Sequence, residues 1–200
     1  MDLILIRHGL PFTITGADGP ADPPLTDAGH EQAARMTAWL EQERIDVLYC
    51  SPLKRAVQTA EPLARQRRLE AIVRDGLAEL DRHHADYVPL EELRKTDYEE
   101  WRKRMKDGWY GPGDPLDFQR YVVETIEAIV EENPGRRAAI VCHGGVINAW
   151  GSHVLKLNEV FFFQPDYTSI NRFAAARSGV RTVLSLNEAA HLRRDVKLAP

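Results

Sequence analysis

Leu3-Ile4-Leu5-Ile6-Arg7-His8-Gly9 is the stretch on which the reading of this chain turns. Four consecutive apolar residues predict a strand buried on both faces, and they give way at once to a cation, an imidazole and a glycine. A histidine at the exit of a buried strand is held stiffly, and the glycine after it lets backbone approach an anion. The pattern recurs far downstream. Residues 138–142 are again wholly apolar, His143, Gly144 and Gly145 follow, and residues 146–157 continue as a helix.

Between these two stretches the chain alternates strand and helix signals. Residues 16–24, rich in Gly, Asp and Pro, read as a loop. Thr26 is a candidate N-cap for a helix over residues 28–43, where Ala33, Met36, Trp39 and Leu40 recur at helical spacing. Residues 46–50 form a short strand that stops at Ser51 and Pro52. These read as the cap and first position of a helix carrying Arg55, Thr59 and Leu63. Arg55 then falls in a first turn, where backbone N–H groups and the helix dipole favour an anion. Residues 69–73 predict a third strand. Residues 118–132 predict an amphipathic helix with Val122, Ile126 and Ile129 on one face, and residues 169–175 and 181–186 a hairpin at one edge.

Residues 82–115 keep no clean period and read as an insertion or lid with one or two short helices over one edge of the domain. Its basic and aromatic cluster from Trp101 to Tyr110 is read as a solvated helix face in preference to a substrate clamp. His83 and His84 lack a carboxylate or cysteine at ligand spacing, so they are assigned to a pocket-lining loop or to surface, and no metal site is expected. Phe161, Phe162 and Phe163 are assigned to the core or to the subunit contact of a homodimer.

The alternation predicts a single α/β domain over residues 1–200, with a mainly parallel sheet covered on both faces. Ligands of such sheets lie beyond the carboxyl ends of the strands. Arg7, His8, Arg55 and His143 all fall at those ends or in the first turn after them. With 44% hydrophobic and 28% charged residues the composition is that of an ordinary globular protein, and a net charge of -4 argues against nucleic acid or acidic membranes as partners. No signal peptide and no span of membrane length is expected. Cys50 and Cys142 each end an apolar run, which suits a reducing, cytoplasmic setting; a redox role at the site is a weaker alternative.

Two histidines and two arginines at one sheet edge point to phosphoryl transfer. Guanidinium groups match phosphate oxygens and keep their charge, and neutral imidazole attacks phosphorus to give a covalent intermediate. With His8 as nucleophile, Arg7, Arg55 and His143 would stabilise the equatorial oxygens, assisted by backbone N–H groups near Gly144. Glu79 is the candidate proton donor, its pKa raised by desolvation or by Asp81, which is the alternative for that role. No metal and no cofactor is required. The alternatives to hydrolysis are a mutase that keeps the phosphoryl group, and a catalytically weak module that binds a phospho-ligand or protein.

Four ordered blocks carry a resemblance: Arg7-His8-Gly9; Leu25-Thr26 with Gly29 and Gln32-Ala33; Ser51-Pro52-Leu53 with Arg55-Ala56 and Gln58-Thr59-Ala60; and His143-Gly144-Gly145-Val146-Ile147. Together they resemble the histidine phosphatase superfamily, also called the phosphoglycerate mutase-like family. The resemblance implies a three-layer α/β/α sandwich with the strand before His143 beside the strand before His8 and an antiparallel strand near one edge. It implies a phosphohistidine on His8, phosphate binding by Arg7, Arg55 and His143, and an acid in the stretch holding Glu79. It further implies a small phosphorylated metabolite or phosphopeptide as substrate. Two departures stand out. Arg82, His83 and His84 replace the Gly and Trp usual after the acid. The run Leu10 to Thr15 lacks the asparagine expected to hold a phosphoglycerate, which favours hydrolysis over mutase activity.

Overall fold

The computed structural model describes residues 1–106 and 113–193. Six strands make one sheet: β1 (Asp2–Arg7), β2 (Val47–Cys50), β3 (Ala71–Val73), β4 (Arg137–Cys142), β5 (Ile170–Ala175) and β6 (Arg181–Glu188), in the order β3-β2-β4-β1-β5-β6. The first four are mutually parallel; β5 runs antiparallel to β1, and β6 antiparallel to β5. The helices are α1 (Asp27–Trp39), α2 (Lys54–Arg67), α3 (Leu90–Thr96), α4 (Tyr98–Lys106), α5 (Pro115–Glu132) and α6 (Gly144–Leu155).

Side chains alternate across the sheet and so divide the interior in two. Leu3, Leu5, Ala138 and Ile140 pack with α5 and α6 on one face, while Ile4, Ile6, Ala139 and Val141 pack with α1 and α2 on the other. This double burial is why β1 and β4 read as unbroken apolar runs. It makes the molecule a three-layer α/β/α sandwich, mainly parallel, with the antiparallel β5 one strand in from the edge.

Register then brings the two histidine exits together. Arg7 pairs with Cys142 across β1 and β4, and the His8 N–H donates to the Cys142 carbonyl at 2.9 Å. The same alternation separates the cysteines: Cys50 pairs with Val141, so its thiol enters the α1/α2 core while that of Cys142 enters the α5/α6 core. Burial pushes the Cys50 thiol up to about 11 and that of Cys142 higher still. Nearness of the strands therefore does not join the two thiols, and neither has the lowered pKa that redox chemistry needs.

Several boundaries differ from the sequence reading by one to four residues, three of them instructive. Helix α2 starts at Lys54 with Leu53 as an N-cap that makes no side-chain bond; the Ser51 oxygen accepts from the Leu53 N–H at 3.3 Å and also meets His143 Nε2 at 2.7 Å, and Arg55 still lies in the first turn. Helix α1 ends at Trp39, earlier than residue 43. Helix α5 begins at Pro115, where the Asp114 carboxylate caps it by accepting from the Leu116 N–H at 2.8 Å.

Two short helices, α3 and α4, occupy the 82–115 region. Tyr98 and Trp101 stack on each other there, while Trp109 and Tyr110 lie outside the described residues. Among the described residues no helix is long and apolar enough to cross a membrane.

Candidate active site

The carboxyl ends of β1, β2 and β4 carry His8, Ser51 and His143 to one place. The His8 and His143 rings stand 5.0 Å apart between centroids, and both residues are almost fully buried. His8 Nδ1 lies 2.7 Å from the Gly9 carbonyl oxygen. A carbonyl can only accept, so Nδ1 carries the proton and Nε2 keeps its lone pair. Burial, reinforced by the Arg55 and Arg7 guanidinium groups, holds the His8 imidazole well below its ordinary 6.5. The ring is thus neutral and fixed in the tautomer a nucleophile needs.

His143 is treated the same way, with burial first and then Arg55, His8 and Arg7 lowering its pKa. Its Nε2 meets the Ser51 hydroxyl at 2.7 Å, and its Nδ1 is buried with no protein partner. If the Ser51 hydroxyl donates to Nε2, Nδ1 bears the proton and is a free donor.

The arginines are charged and differently tied. Arg55 is 1% exposed, yet none of its three guanidinium nitrogens has a hydrogen-bond partner; Asp81 at 3.6 Å and Asp22 at 3.9 Å are its ionic neighbours, and the Tyr87 ring lies 4.6 Å from Cζ. A buried guanidinium short of acceptors is costly unless an anion completes it. Arg7 donates from Nη1 to Glu91 at 2.5 Å and to the Pro165 carbonyl at 2.6 Å, and its Nε has no protein partner. Burial alone would lower the Arg7 pKa, but Glu91 and its hydrogen bond more than reverse that.

Glu79 faces the site from the chain after β3. Its Oε2 accepts from the Gly145 N–H at 2.9 Å and its Oε1 from the Leu80 N–H at 3.0 Å. Burial and then Asp81 raise its pKa above the ordinary 4.5 despite those bonds. Burial raises Asp81 as well, but Arg55 beside it favours the charged form. Of the two, Glu79 is better placed to hold a proton. The Gly145 N–H is therefore spent on Glu79 and is not free for an oxyanion, which narrows the backbone assistance expected near Gly144.

A cavity of about 410 Å³ opens over this group, lined by Arg7, His8, Glu79, Asp81 and Gly144 and also by Tyr87, Val88, Leu90 and Phe163. Arg55 and His143 are not among its lining residues but stand directly against them, Arg55 at 3.6 Å from Asp81 and the His143 ring at 5.0 Å from that of His8. Phe163 has two roles, packing against the α5/α6 core and facing the cavity, where the sequence suggested only core or subunit contact. His84 lines the cavity, whereas among the described residues no cluster of three metal-ligating side chains occurs. Sequence reasoning passed over Tyr87, Glu91 and Tyr167. The Arg7 Cζ lies 4.0 Å from the Tyr167 ring, and the Tyr167 hydroxyl donates to Glu91 at 2.8 Å. Only Ser51, immediately after a strand and inside a matched block, carried a signal in the sequence.

Residues 3–188 match the histidine phosphatase superfamily (branch 1). The chain is 34% identical over 119 residues to "Phosphoserine phosphatase 1" of Hydrogenobacter thermophilus, covering 58% of this chain and about half, 54%, of that protein. It is 32% identical over 162 residues to "Phosphoglycerate mutase-like protein 4" of Arabidopsis thaliana, covering 74% of this chain and 68% of the relative. Among solved structures, the phosphoserine phosphatase of Entamoeba histolytica in complex with 3-phosphoglyceric acid superposes with a TM-score of 0.72 at 26% identity, covering 96% of this chain and 99% of that one.

Proposed function

This chain belongs to the histidine phosphatase superfamily, and on that premise we propose that it hydrolyses a phosphomonoester of a small metabolite through a phosphohistidine on His8, without a metal. The observation that carries the reading is the pairing of a neutral, oriented His8 with two guanidinium groups that retain unused N–H donors. The His8 Nε2 lone pair attacks phosphorus, and Arg7, Arg55 and the His143 Nδ1–H take up charge on the equatorial oxygens. The ester P–O bond breaks, and the leaving oxygen takes a proton from Glu79. Water then attacks the phosphohistidine and gives a proton back to the Glu79 carboxylate, so the P–N bond breaks and inorganic phosphate leaves.

Hydrolysis is favoured over mutase action by the lining of the cavity. Among the described lining residues Arg7 is the sole arginine and there is no lysine, while Asp81 and Asp86 add carboxylates, a lining ill suited to a phosphoglycerate carboxylate beside the phosphate. The enclosure also suits a small molecule better than a phosphopeptide. Incubation with p-nitrophenyl phosphate and a chelator should release inorganic phosphate, and His8→Ala should reduce turnover by about 10³-fold or more, as loss of a covalent nucleophile does. Phosphate binding without turnover would instead favour the phospho-ligand module, and an isomeric ester as product the mutase.

A further inference from the structure

Glu91 stands on α3, 84 positions from Arg7, and has no part in the chemistry above. Its partner has two edges that can bind an anion. The Nη1/Nη2 edge of Arg7 is taken: Nη1 donates to Glu91 Oε1 at 2.5 Å, and Nη2 reaches Oε2 at 3.5 Å. The Pro165 carbonyl accepts the other Nη1 proton at 2.6 Å, and Tyr167 both covers the guanidinium and donates its hydroxyl to Glu91 Oε2. What remains is the Nε edge. It lies on the side of Gly144, where an added Cβ would stand 3.8 Å from Nε, and Arg7 and Gly144 both line the cavity there.

We propose that Glu91 is a positioning residue: it grips Arg7 by the outer edge so that the Nε edge is presented to the phosphoryl oxygens. The proposal rests on the phosphatase reading of the same site. A carboxylate competing with substrate would sit on the Nε edge, and this one sits opposite. Burial would raise the Glu91 pKa, but the Arg7 charge and hydrogen bond bring it below its ordinary value, so the grip is ionic and bidentate in form. Tyr167, reaching Glu91 from the chain before β5, fixes the carboxylate from the far side.

The test compares wild type, Glu91→Ala, Glu91→Gln, Arg7→Ala and the Arg7→Ala/Glu91→Ala double variant. Each is measured for kcat and KM on p-nitrophenyl phosphate, affinity for inorganic phosphate, and thermal midpoint. Glu91→Ala should lower kcat/KM about 10- to 100-fold, the scale of a misplaced binding group, and weaken phosphate. Glu91→Gln, which keeps an oxygen for Nη1, should recover most of the loss. The double variant should be no worse than Arg7→Ala, since a residue acting through another loses its effect with it. Three results would overturn the proposal: unchanged kinetics in Glu91→Ala, tighter phosphate binding in that variant, or losses that multiply in the double variant and follow the thermal midpoint. If wild type turns over no ester, the phosphatase reading fails, while weaker phosphate binding in Glu91→Ala alone still supports the grip.

Discussion

Burial lowers the pKa of His8 and raises that of Glu79, and the two shifts set opposite limits on the reaction. As pH falls through the lowered His8 value the nucleophile gains a proton and is lost; as pH rises through the raised Glu79 value the acid loses its proton. The profile of kcat/KM should therefore be bell-shaped, with its acid limb set by His8 below 6.5 and its alkaline limb set by Glu79 above 4.5. Glu79→Gln should abolish the alkaline limb and slow alkyl phosphates by about 10²- to 10⁴-fold, with a much smaller effect on nitrophenyl esters, whose leaving oxygen needs no proton. Equal slowing of both esters would move the acid role to Asp81. At this scale the sequence revealed the groups that follow strands directly. Glu91, Tyr87 and Tyr167 were illegible because their partners lie far away along the chain, and no local spacing encodes which carboxylate among many will meet Arg7.

At the level of elements, the first turn of α6 couples packing to chemistry. A Cβ at Gly145 would overlap the Glu79 carboxylate, while one at Gly144 meets nothing nearer than 3.8 Å. Because the obstacle is the end of a flexible side chain, Gly145→Ala should cost little stability but displace the acid. It should reproduce the leaving-group dependence of Glu79→Gln, with a thermal midpoint close to wild type, whereas Gly144→Ala should leave the Glu79-dependent step intact. Ser51 shows why helix boundaries were harder to read than helix existence. Serine followed by proline is a strong start signal, and the Ser51 oxygen does accept from the Leu53 N–H, but the same hydroxyl also serves His143 and the regular helix begins only at Lys54. The interior of each element obeyed its period, and only the ends, where side chains have other partners, departed from it.

For the molecule as a whole, the sheet is a partition with separate cores on its two faces. One cysteine lies in each, and both thiols are pushed to high pKa by burial. A disulfide-exchange reagent such as dithiobis-nitrobenzoate should find neither thiol in the native protein and both after unfolding in urea; rapid reaction of one thiol before unfolding would show that its half of the interior opens independently. The doubly buried strands were plain in the sequence because both faces demand apolar residues. The pairing of β1 with β4 came from resemblance to a family, since apolar runs do not specify their neighbours.

The reversal of β5 has a consequence for how such a protein can diversify. Because β5 runs against its neighbours, the chain entering it, with Pro165 and Tyr167, meets the chain leaving β3, with Tyr87 and Glu91, across one opening. Two peptide hems sewn on from opposite directions thus frame a mouth whose floor belongs to the sheet. Either hem can lengthen, shorten or change its lining without unpicking a strand, so selection can retailor which alcohol is admitted while the histidines beneath stay where they are.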